Sequence, residues 1–328
     1  MNLYIDTNIY LSFYHYTSED LEELRKLIVL IENDRVALHL PRQTIDEFRR
    51  NRDGKISDAI QNFGKEKLTS QFPQICKQYE EYKQLRDIIK KYQETKSELL
   101  EKLTSDVVNE NLKADEIIDT LFAKANKIER TNDILTSAKI RFDIGNPPGK
   151  KKSYGDAINW ESLLKAVPND HKLYFISDDN DFSSQVDEKE FCPFLEHEWE
   201  ERKKGQILYF KRLSTFFKDK FPDINLATEL EKELLISDLK YAGSYRSARR
   251  ILSNLSLFSE FTDTELNDIV FATISNNQVY RIIEDEDING YIRGFIEGKE
   301  DRIEEDHLRG LHELLGEVTE ESNDDLPF

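Results

Sequence analysis

Short apolar runs rich in β-branched and aromatic residues recur through the first two thirds of the chain. Turn-forming or charged residues close each run, which is typical of β-strands. The runs are NLYID at 2–6, VALHL at 36–40, KLYFIS at 172–177 and QILYFK at 206–211. Between the first two runs, apolar residues follow a helical spacing at Leu21, Leu24, Leu27, Ile28 and Ile31. Pro41 opens another helix. Strands that alternate with helices predict an α/β fold with a parallel sheet.

The segment 57–140 interrupts this alternation, because it is long, rich in charge and poor in Pro and Gly. Its apolar residues keep a helical spacing, which continues through Ile118, Leu121, Ala125 and Ile128. We predict a helical hairpin inserted into the α/β domain. The hairpin serves either as a structural buttress or as an arm that clamps substrate.

The strand-like runs stop after Pro222, and the pattern up to Leu315 predicts several helices with an acidic surface. We therefore divide the chain into an α/β domain at 1–222, a mostly helical domain at 223–316 and an acidic tail at 317–328. No stretch approaches the run of apolar residues that spans a bilayer, and no signal-peptide pattern follows Met1, so a cytoplasmic location is expected. Cys76 and Cys192 are far apart and lack a metal-ligand spacing, which favours reduced thiols.

The net charge of -19 argues at first against a nucleic-acid partner, because phosphate binding relies on Lys and Arg. The charge is unevenly distributed. Residues 229–328 carry 24 acidic and 10 basic side chains, whereas residues 1–228 carry 41 acidic and 36 basic side chains. The first two thirds can therefore accommodate a phosphodiester, and the last third is too acidic to do so.

Acidic residues stand where the predicted strands end and the following helices begin. Asp6 closes the first run, Glu47 lies on the helix after Pro41, and Asp156 lies in SYGDAINWESLL. FISDDNDF places three more acids directly after a strand, at Asp178, Asp179 and Asp181. Each has an ordinary alternative role: a helix cap for Asp6, a surface pair with an Arg for Glu47, a capping box begun by Ser153 for Asp156, and a polar turn for the last three.

Taken together, these acids favour a single pocket, because the carboxyl ends of parallel strands meet at one edge of a sheet. Several carboxylates gather only where protons or hard cations offset their repulsion, and Mg²⁺ or Mn²⁺ suits a set of oxygen ligands. The residues therefore indicate a pocket for divalent cations.

The motifs DTN after the first strand, a helical Glu after a Pro-led turn, GDAINWE and SDDNDF resemble those of PIN-domain nucleases, and the resemblance covers residues 1 to about 220. It looks like a bacterial PIN-like subgroup with a large helical insertion before the third acid. Two positions depart from the family pattern. Ser177 replaces the usual Thr but keeps the hydroxyl, and Asp178 leaves the fourth acid open between Asp178 and Asp179.

The resemblance implies a metal-dependent endonuclease that hydrolyses phosphodiester bonds, most often in RNA, with one or two Mg²⁺ or Mn²⁺ ions and a two-metal carboxylate mechanism. The catalytic, metal-binding acids implied in this way are Asp6, Glu47, Asp156 and Asp179, with Asp181 and Asp178 as further candidate ligands and Asn8 and Ser177 as polar supports. A DNA flap or single-strand nuclease is the alternative enzyme. A toxin-like or regulatory binding module, whose acidic C-terminal domain docks a protein, is the alternative of another class.

Basic residues adjoin two of these acids and are candidates for phosphate contacts, although a solvated charge run is their ordinary role. They are Arg49, Arg50, Arg52, Lys150, Lys151 and Lys152. Trp160 and Phe182 are expected in the core. The chain ends in SNDDLPF, similar to the acidic tip of bacterial single-stranded-DNA-binding proteins, so a protein partner could bind the tail through Asp324, Asp325, Leu326, Pro327 and Phe328.

Overall fold

A computed structural model describes residues 1–15, 20–68, 71–149, 154–222, 224 and 226–316. The chain divides into two compact units, Met1–Ile224 and Asn225–Phe328. No helix among the described residues has both the length and the apolar character needed to cross a membrane.

A parallel sheet forms the centre of the first unit. The described residues contribute five strands in the order β3-β2-β1-β4-β5: β1 (Asn2–Ile5), β2 (Ala37–Pro41), β3 (Asn126–Ile128), β4 (Leu173–Ile176) and β5 (Ile207–Phe210). β1 pairs with β2 on one side and β4 on the other, with Leu3 opposite Leu38 and Tyr174. The predicted α/β fold is confirmed, and the four strands predicted from the sequence are all present.

Helices connect the strands of this sheet. They are α1 (Thr7–Ser12), α2 (Leu21–Glu32), α3 (Arg42–Lys65), α4 (Glu80–Val108), α5 (Lys113–Lys124), α6 (Asn132–Asp143), α7 (Gly155–Ala166), α8 (Pro193–Lys203) and α9 (Leu213–Lys220), with a short 3₁₀ helix at Gln74–Gln78. β1 is buried along Leu3, Tyr4 and Ile5, as expected for a parallel strand covered on both faces. An aromatic cluster fills one side of the core, where Trp160 and Phe182 are buried as predicted.

The sequence prediction of a helix through Ile128 is wrong. Helix α5 ends at Lys124, and residues 126–128 form β3 on the outer edge of β2, with Asn126 opposite His39. Two of the three strand residues are exposed and the third is only half-buried, so no apolar alternation marks the strand. The segment that follows β3 contacts α3, where Arg130 donates to Gln43 and Asp46.

The predicted insertion 57–140 contains both exposed and buried helices. Helix α4 is exposed over most of its length, and Lys96 is its buried residue. The Lys96 ammonium donates to the Glu66 carbonyl at 2.5 Å and lies over the Phe63 ring. Helix α5, in contrast, packs against α2 and buries Ile118 and Leu121 completely. The exposed part of the segment is therefore α4, whereas α5, β3 and α6 belong to the α/β layers.

The second unit is helical in its described part. Its elements are α10 (Ala227–Lys240), α11 (Tyr245–Leu255), α12 (Asp263–Ser275), α13 (Asn277–Tyr280), α14 (Glu286–Ile296) and α15 (Glu305–Leu314), with a short 3₁₀ helix at Glu300–Arg302. These helices share one apolar core that includes Leu239, Leu252, Leu266 and Ile288.

Candidate active site

Asp6 stands at the carboxyl end of β1, where the chain turns into α1. It is 3% exposed, and its backbone N–H extends the sheet by donating to the Ile176 carbonyl at 2.9 Å. Its carboxylate accepts from the Thr7 N–H at 2.8 Å and from the Ser177 hydroxyl at 2.8 Å. Asp6 is thus a helix cap, the ordinary role considered for it, but Ser177 also holds it against the end of β4. This is the position at which the strand order reverses and where open α/β sheets bind ligands.

The loop after β4 brings Asp179 to the same edge. The Asp179 N–H donates to the Ser177 Oγ at 3.0 Å, and its carboxylate accepts from the Asp181 N–H at 2.9 Å. Asn8, in the first turn of α1, donates to the Asp179 Oδ2 at 3.4 Å. Asp178 is exposed. Of the two neighbouring acids, Asp179 is therefore the one that faces Asp6, with Ser177 and Asn8 as its polar supports.

Glu47 points from α3 toward these residues rather than into solvent. Its side chain is 15% exposed and accepts two hydrogen bonds, from the Thr7 hydroxyl at 3.1 Å and from the Gln43 amide at 2.7 Å. Arg50, the surface partner considered from the sequence, comes no closer than 4.0 Å. Thr7 therefore links the turn after β1 to α3 and fixes the Glu47 carboxylate beside that turn.

A second line of support for Glu47 comes from the segment after β3. Arg130 donates to the Gln43 Oε1 at 2.8 Å and to the Asp46 carboxylate at 2.5 Å. Gln43 is thereby oriented to donate its amide N–H to Glu47. Sequence reasoning missed Thr7, Gln43 and Arg130. The four-residue spacing from Gln43 to Glu47 on one helix could have revealed the first contact, whereas the role of Arg130 depends on the unpredicted strand β3.

Helix α7 supplies Asp156 and packs closely on Glu47 at its first turn. The helix begins at Gly155, so Asp156 is its second residue. Tyr154 precedes the helix and makes no side-chain capping hydrogen bond. Ser153, the cap expected from the sequence, lies outside the described residues. Gly155 is buried, and a Cβ built on it would lie 2.0 Å from the Glu47 Oε1 and 3.3 Å from the Gln43 Nε2. Only glycine permits this approach, which sets Asp156 beside Glu47.

Burial and the charges of neighbouring acids raise the pKa values of two acids in this pocket, Asp6 and Asp156. Burial raises the pKa of Asp6 to about 7, although hydrogen bonds from Ser177 and Thr7 oppose the shift, and the charges of Asp179 and Glu47 add to it. Burial also raises the pKa of Asp156 to about 8, with further contributions from the charges of Asp6, Asp179, Glu47 and Asp181. The pocket therefore takes up protons near neutral pH or binds a cation in their place.

The carboxylate oxygens of the pocket are the type of ligand that a hard cation prefers. Asp6, Glu47, Asp156 and Asp179 offer carboxylate oxygens, and an ionised carboxylate has about four lone-pair sites, more than the bonds that Asp6 or Glu47 accept. In the part of the chain that the structure describes, no group of three or more Asp, Glu, His or Cys side chains is close enough to hold one ion. The acids are near enough for their charges to shift the pKa values of Asp6 and Asp156, but they do not converge on a single point.

The basic residues near Glu47 fall into two groups. Arg49 and Arg50 are exposed on α3. Arg52 is buried, and its guanidinium donates to both oxygens of Asp115, at 2.7 and 2.5 Å, and to Asp53 at 2.8 Å. The prediction that Arg52 contacts phosphate is therefore corrected, because its donors are engaged inside the protein. The other predicted basic residues, Lys150, Lys151 and Lys152, lie outside the described residues, as does the whole tail 317–328.

Replacing Arg52 by Ala is expected to destabilise the protein by about 3–5 kcal/mol, because Asp115 would be left as a buried, unpaired charge. The matched variant Arg49→Ala, on the exposed side of the same helix, should change the free energy of unfolding by less than about 0.5 kcal/mol. Urea unfolding of the two variants measures both values. Equal stability of Arg52→Ala and the wild type would contradict the structural role assigned to Arg52.

Gly155→Ala is expected to displace Glu47 and lower any activity of the pocket, because the added methyl group occupies the position of the Glu47 carboxylate. A loss on the order of 10²-fold is expected, as for other errors of about 1 Å in catalytic positioning. The control is Gly54→Ala in α3, where a Cβ meets nothing within 4 Å. That change should leave activity intact and stabilise the helix by up to about 1 kcal/mol. Wild-type activity in Gly155→Ala would disprove the close packing.

The structure is an α/β fold with several carboxylates grouped at the carboxyl edge of a parallel sheet. A family model for the PIN domain matches residues 3–182, a range that contains Asp6, Glu47, Asp156 and Asp179. The chain belongs to the PIN-domain family, whose members are generally metal-dependent nucleases. The search of curated proteins and the search of solved structures gave no match.

Proposed function

We propose that this chain is an endonuclease that uses Mg²⁺ or Mn²⁺ to hydrolyse phosphodiester bonds, with RNA as the favoured substrate. The observation that carries the proposal is the arrangement of Asp6, Glu47, Asp156 and Asp179, which four separate elements bring to the edge where β1 and β4 end. The raised pKa values of Asp6 and Asp156 support the proposal, because burial and, after it, the charges of the neighbouring acids disfavour ionisation without a compensating cation.

The residues would divide the work as follows. Asp6 and Asp179 would hold one cation, Glu47 and Asp156 would hold a second or flank the first, and Asp181 would act as an outer or direct ligand. Bound divalent cations would supply activation of the attacking water and stabilisation of charge on the leaving oxygen. Hydrogen bonds from Thr7 and Gln43 hold the Glu47 carboxylate in place. The Ser177 hydroxyl donates to the Asp6 carboxylate and accepts from the Asp179 N–H, so it links the two acids.

Cleavage of a panel of nucleic acids tests the proposal. The purified chain is incubated with labelled single- and double-stranded RNA, the same forms of DNA and a DNA flap, each with Mg²⁺, Mn²⁺ or a chelator. Metal-dependent cleavage of single-stranded RNA is expected. Cleavage of DNA alone would favour the flap or single-strand DNA nuclease instead, and cleavage that persists in chelator would contradict the cation mechanism.

A contact between the lysines at 150–152 and substrate phosphates remains a proposal based on sequence, supported by their position shortly before Asp156. Replacing all three by Ala should weaken substrate binding, reduce the slope of affinity against salt concentration by up to about three charges, and leave the single-turnover rate at saturation unchanged. Exposed Arg49 and Arg50 are candidates for the same role. An unchanged salt slope would mean that the three lysines form a solvated loop.

A protein partner for the acidic C-terminal unit and tail is a separate proposal, as are the cytoplasmic location and a regulatory or toxin-like role. The support for a partner is the sequence DDLPF at 324–328, whose Phe side chain and neighbouring Asp residues suit an apolar pocket with a basic rim. A peptide of the last ten residues should bind a protein that recognises such acidic tips. Equal binding by the same peptide without Phe328 would exclude this mode.

A further inference from the structure

A cleft opens beside the acidic pocket, between two loops of the first unit. One wall is the segment 145–149, and the other is formed by residues of 180–194. The cleft has a volume of about 420 Å³, within the range of small-molecule binding sites. It is distinct from the carboxylate pocket, although the two share a boundary at Asp181.

Hydrogen bonds hold both walls of the cleft in place. On one side, Arg141 donates to the Pro147 carbonyl at 2.6 Å while its guanidinium is paired with the buried carboxylate of Glu161. On the other side, the Ser184 N–H donates to the Glu190 carbonyl at 2.8 Å, and the Cys192 N–H donates to the Phe182 carbonyl at 2.9 Å. The cleft is therefore preformed, which reduces the entropy that a ligand must lose to enter it.

The lining of the cleft combines exposed apolar groups with amide side chains. Phe194 is 47% exposed and Val186 is 98% exposed, so both present apolar surface to the solvent. Asn180 and Gln185, also exposed, each bring a carbonyl acceptor and an amide donor to the same space. An aromatic face together with amide groups is the combination that proteins use to stack an unpaired nucleobase and to bond its edge.

The position of the cleft relates it to the acids. Asp181 lines it, and the Asp181 N–H donates to the carboxylate of Asp179 at 2.9 Å. A base in the cleft would therefore belong to a nucleotide next to the phosphate at the acids. A base stacked and paired in a duplex cannot enter such a cleft unless it is extruded first, at a cost of a few kcal/mol.

We propose that the cleft between 145–149 and 180–194 receives one unstacked base next to the cleaved phosphate. The proposal rests on the nuclease function proposed above. Phe194 would stack on the base, and Gln185 and Asn180 would bond its edge. These are specificity-determining residues rather than catalytic residues, because none of them touches the reacting atoms.

Abasic scanning tests the proposal. A series of single-stranded oligonucleotides, in ribose and deoxyribose versions, carries one abasic nucleotide at successive positions around the cleaved bond. Loss of a stacked base is expected to raise KM by about 5- to 150-fold, equivalent to about 1–3 kcal/mol, at one fixed position and not at the others. Phe194→Ala should raise KM for the intact strand by a similar factor and remove the effect of the abasic position, whereas His197→Ala, an exposed change on the same helix, should do neither.

The outcomes separate this inference from the nuclease function. Metal-dependent cleavage without any position-specific abasic effect would overturn the cleft and leave the nuclease standing. If no nucleic acid is cleaved, binding of a short single strand containing the fluorescent base 2-aminopurine decides the matter. Quenching by the wild type that is lost in Phe194→Ala would support the cleft, and equal quenching by both proteins, or none, would overturn it.

Discussion

Asp156→Asn is expected to lower cleavage by at least about 10²-fold and, at the same time, to stabilise the metal-free protein at neutral pH. The loss of activity follows because the change removes an anionic oxygen from the pocket that would hold the cations. The gain in stability follows because Asn carries no charge, so that the cost of burying an ionisable carboxyl group disappears, together with the repulsion from the neighbouring acids. Activity and stability should therefore move in opposite directions in one variant.

The gain should be on the order of 1–3 kcal/mol, which raises Tm by several degrees in a unit of this size. Thermal unfolding in the presence of chelator measures it, and single-turnover cleavage with Mn²⁺ measures the loss. Asp178→Asn is the matched control, since Asp178 is exposed in the same loop and Asp179, not Asp178, contacts the other pocket residues. Asp178→Asn should change neither Tm nor the cleavage rate by much. Wild-type cleavage by Asp156→Asn would remove this residue from the site.

The contribution of Asp6 and Asp156 to the stability of the metal-free protein is expected to fall as pH rises from about 4 to 8. A carboxyl whose pKa is higher in the folded than in the unfolded state binds more protons when folded, so its contribution is complete at low pH and is lost as the pH passes the folded value. Asp6 and Asp156 have folded pKa values of about 7 and about 8 against an ordinary value of 3.8. Their contribution should therefore be lost across this window, by on the order of 1–3 kcal/mol.

Other shifted groups act in both directions. Burial and the charges of Glu200 and Glu190 raise the pKa of Glu196, which adds to the decline, whereas burial lowers the pKa of His39 to about 4, which opposes it at the acidic end. The pKa of Asp115 is lowered by hydrogen bonds from Arg52 and Tyr14 that outweigh its burial, and Arg141 and Trp160 have the same effect on Glu198. The stabilisation from such groups is lost only when pH falls below their ordinary range. Urea unfolding at several pH values should therefore show a decline in the wild type that is reduced in Asp6→Asn and in Asp156→Asn. Parallel curves for all three proteins would contradict the coupling among the pocket acids.

The sequence predicts the centre of the sheet well because β1, β2 and β4 are largely buried and β5 is a continuous apolar run. It predicts the positions of Asp6 and Asp179 for a related reason, because these acids come just after the buried strands β1 and β4. It does not reveal β3, because Asn126 and Lys127 are exposed and their pairing with β2 depends on backbone hydrogen bonds. Short edge strands carry too little apolar pattern to be distinguished from the helix before them.

Arg52 illustrates a signal that was present in the sequence. Ile45, Phe48, Arg52 and Ile56 follow one another at helical spacing, so Arg52 stands in the buried stripe of α3 while Arg49 and Arg50 do not. The need for a buried partner follows from that position. The identity of the partner does not, because Asp115 is distant in the sequence and reaches Arg52 only through the packing of α5. The contact of Arg130 with Gln43 is hidden for the same reason.

Calorimetric titration of the protein with Mn²⁺ at pH 7, in two buffers of different ionisation enthalpy, tests the central claim most directly. The account predicts saturable binding that releases protons, because Asp6 and Asp156 are partly protonated at this pH and must ionise to bind a cation. Asp178→Asn should bind in the same way, whereas Asp156→Asn should bind much more weakly and release fewer protons. The absence of saturable binding by the wild type, or equal binding by Asp156→Asn, would contradict the assignment of these carboxylates as a divalent-cation site.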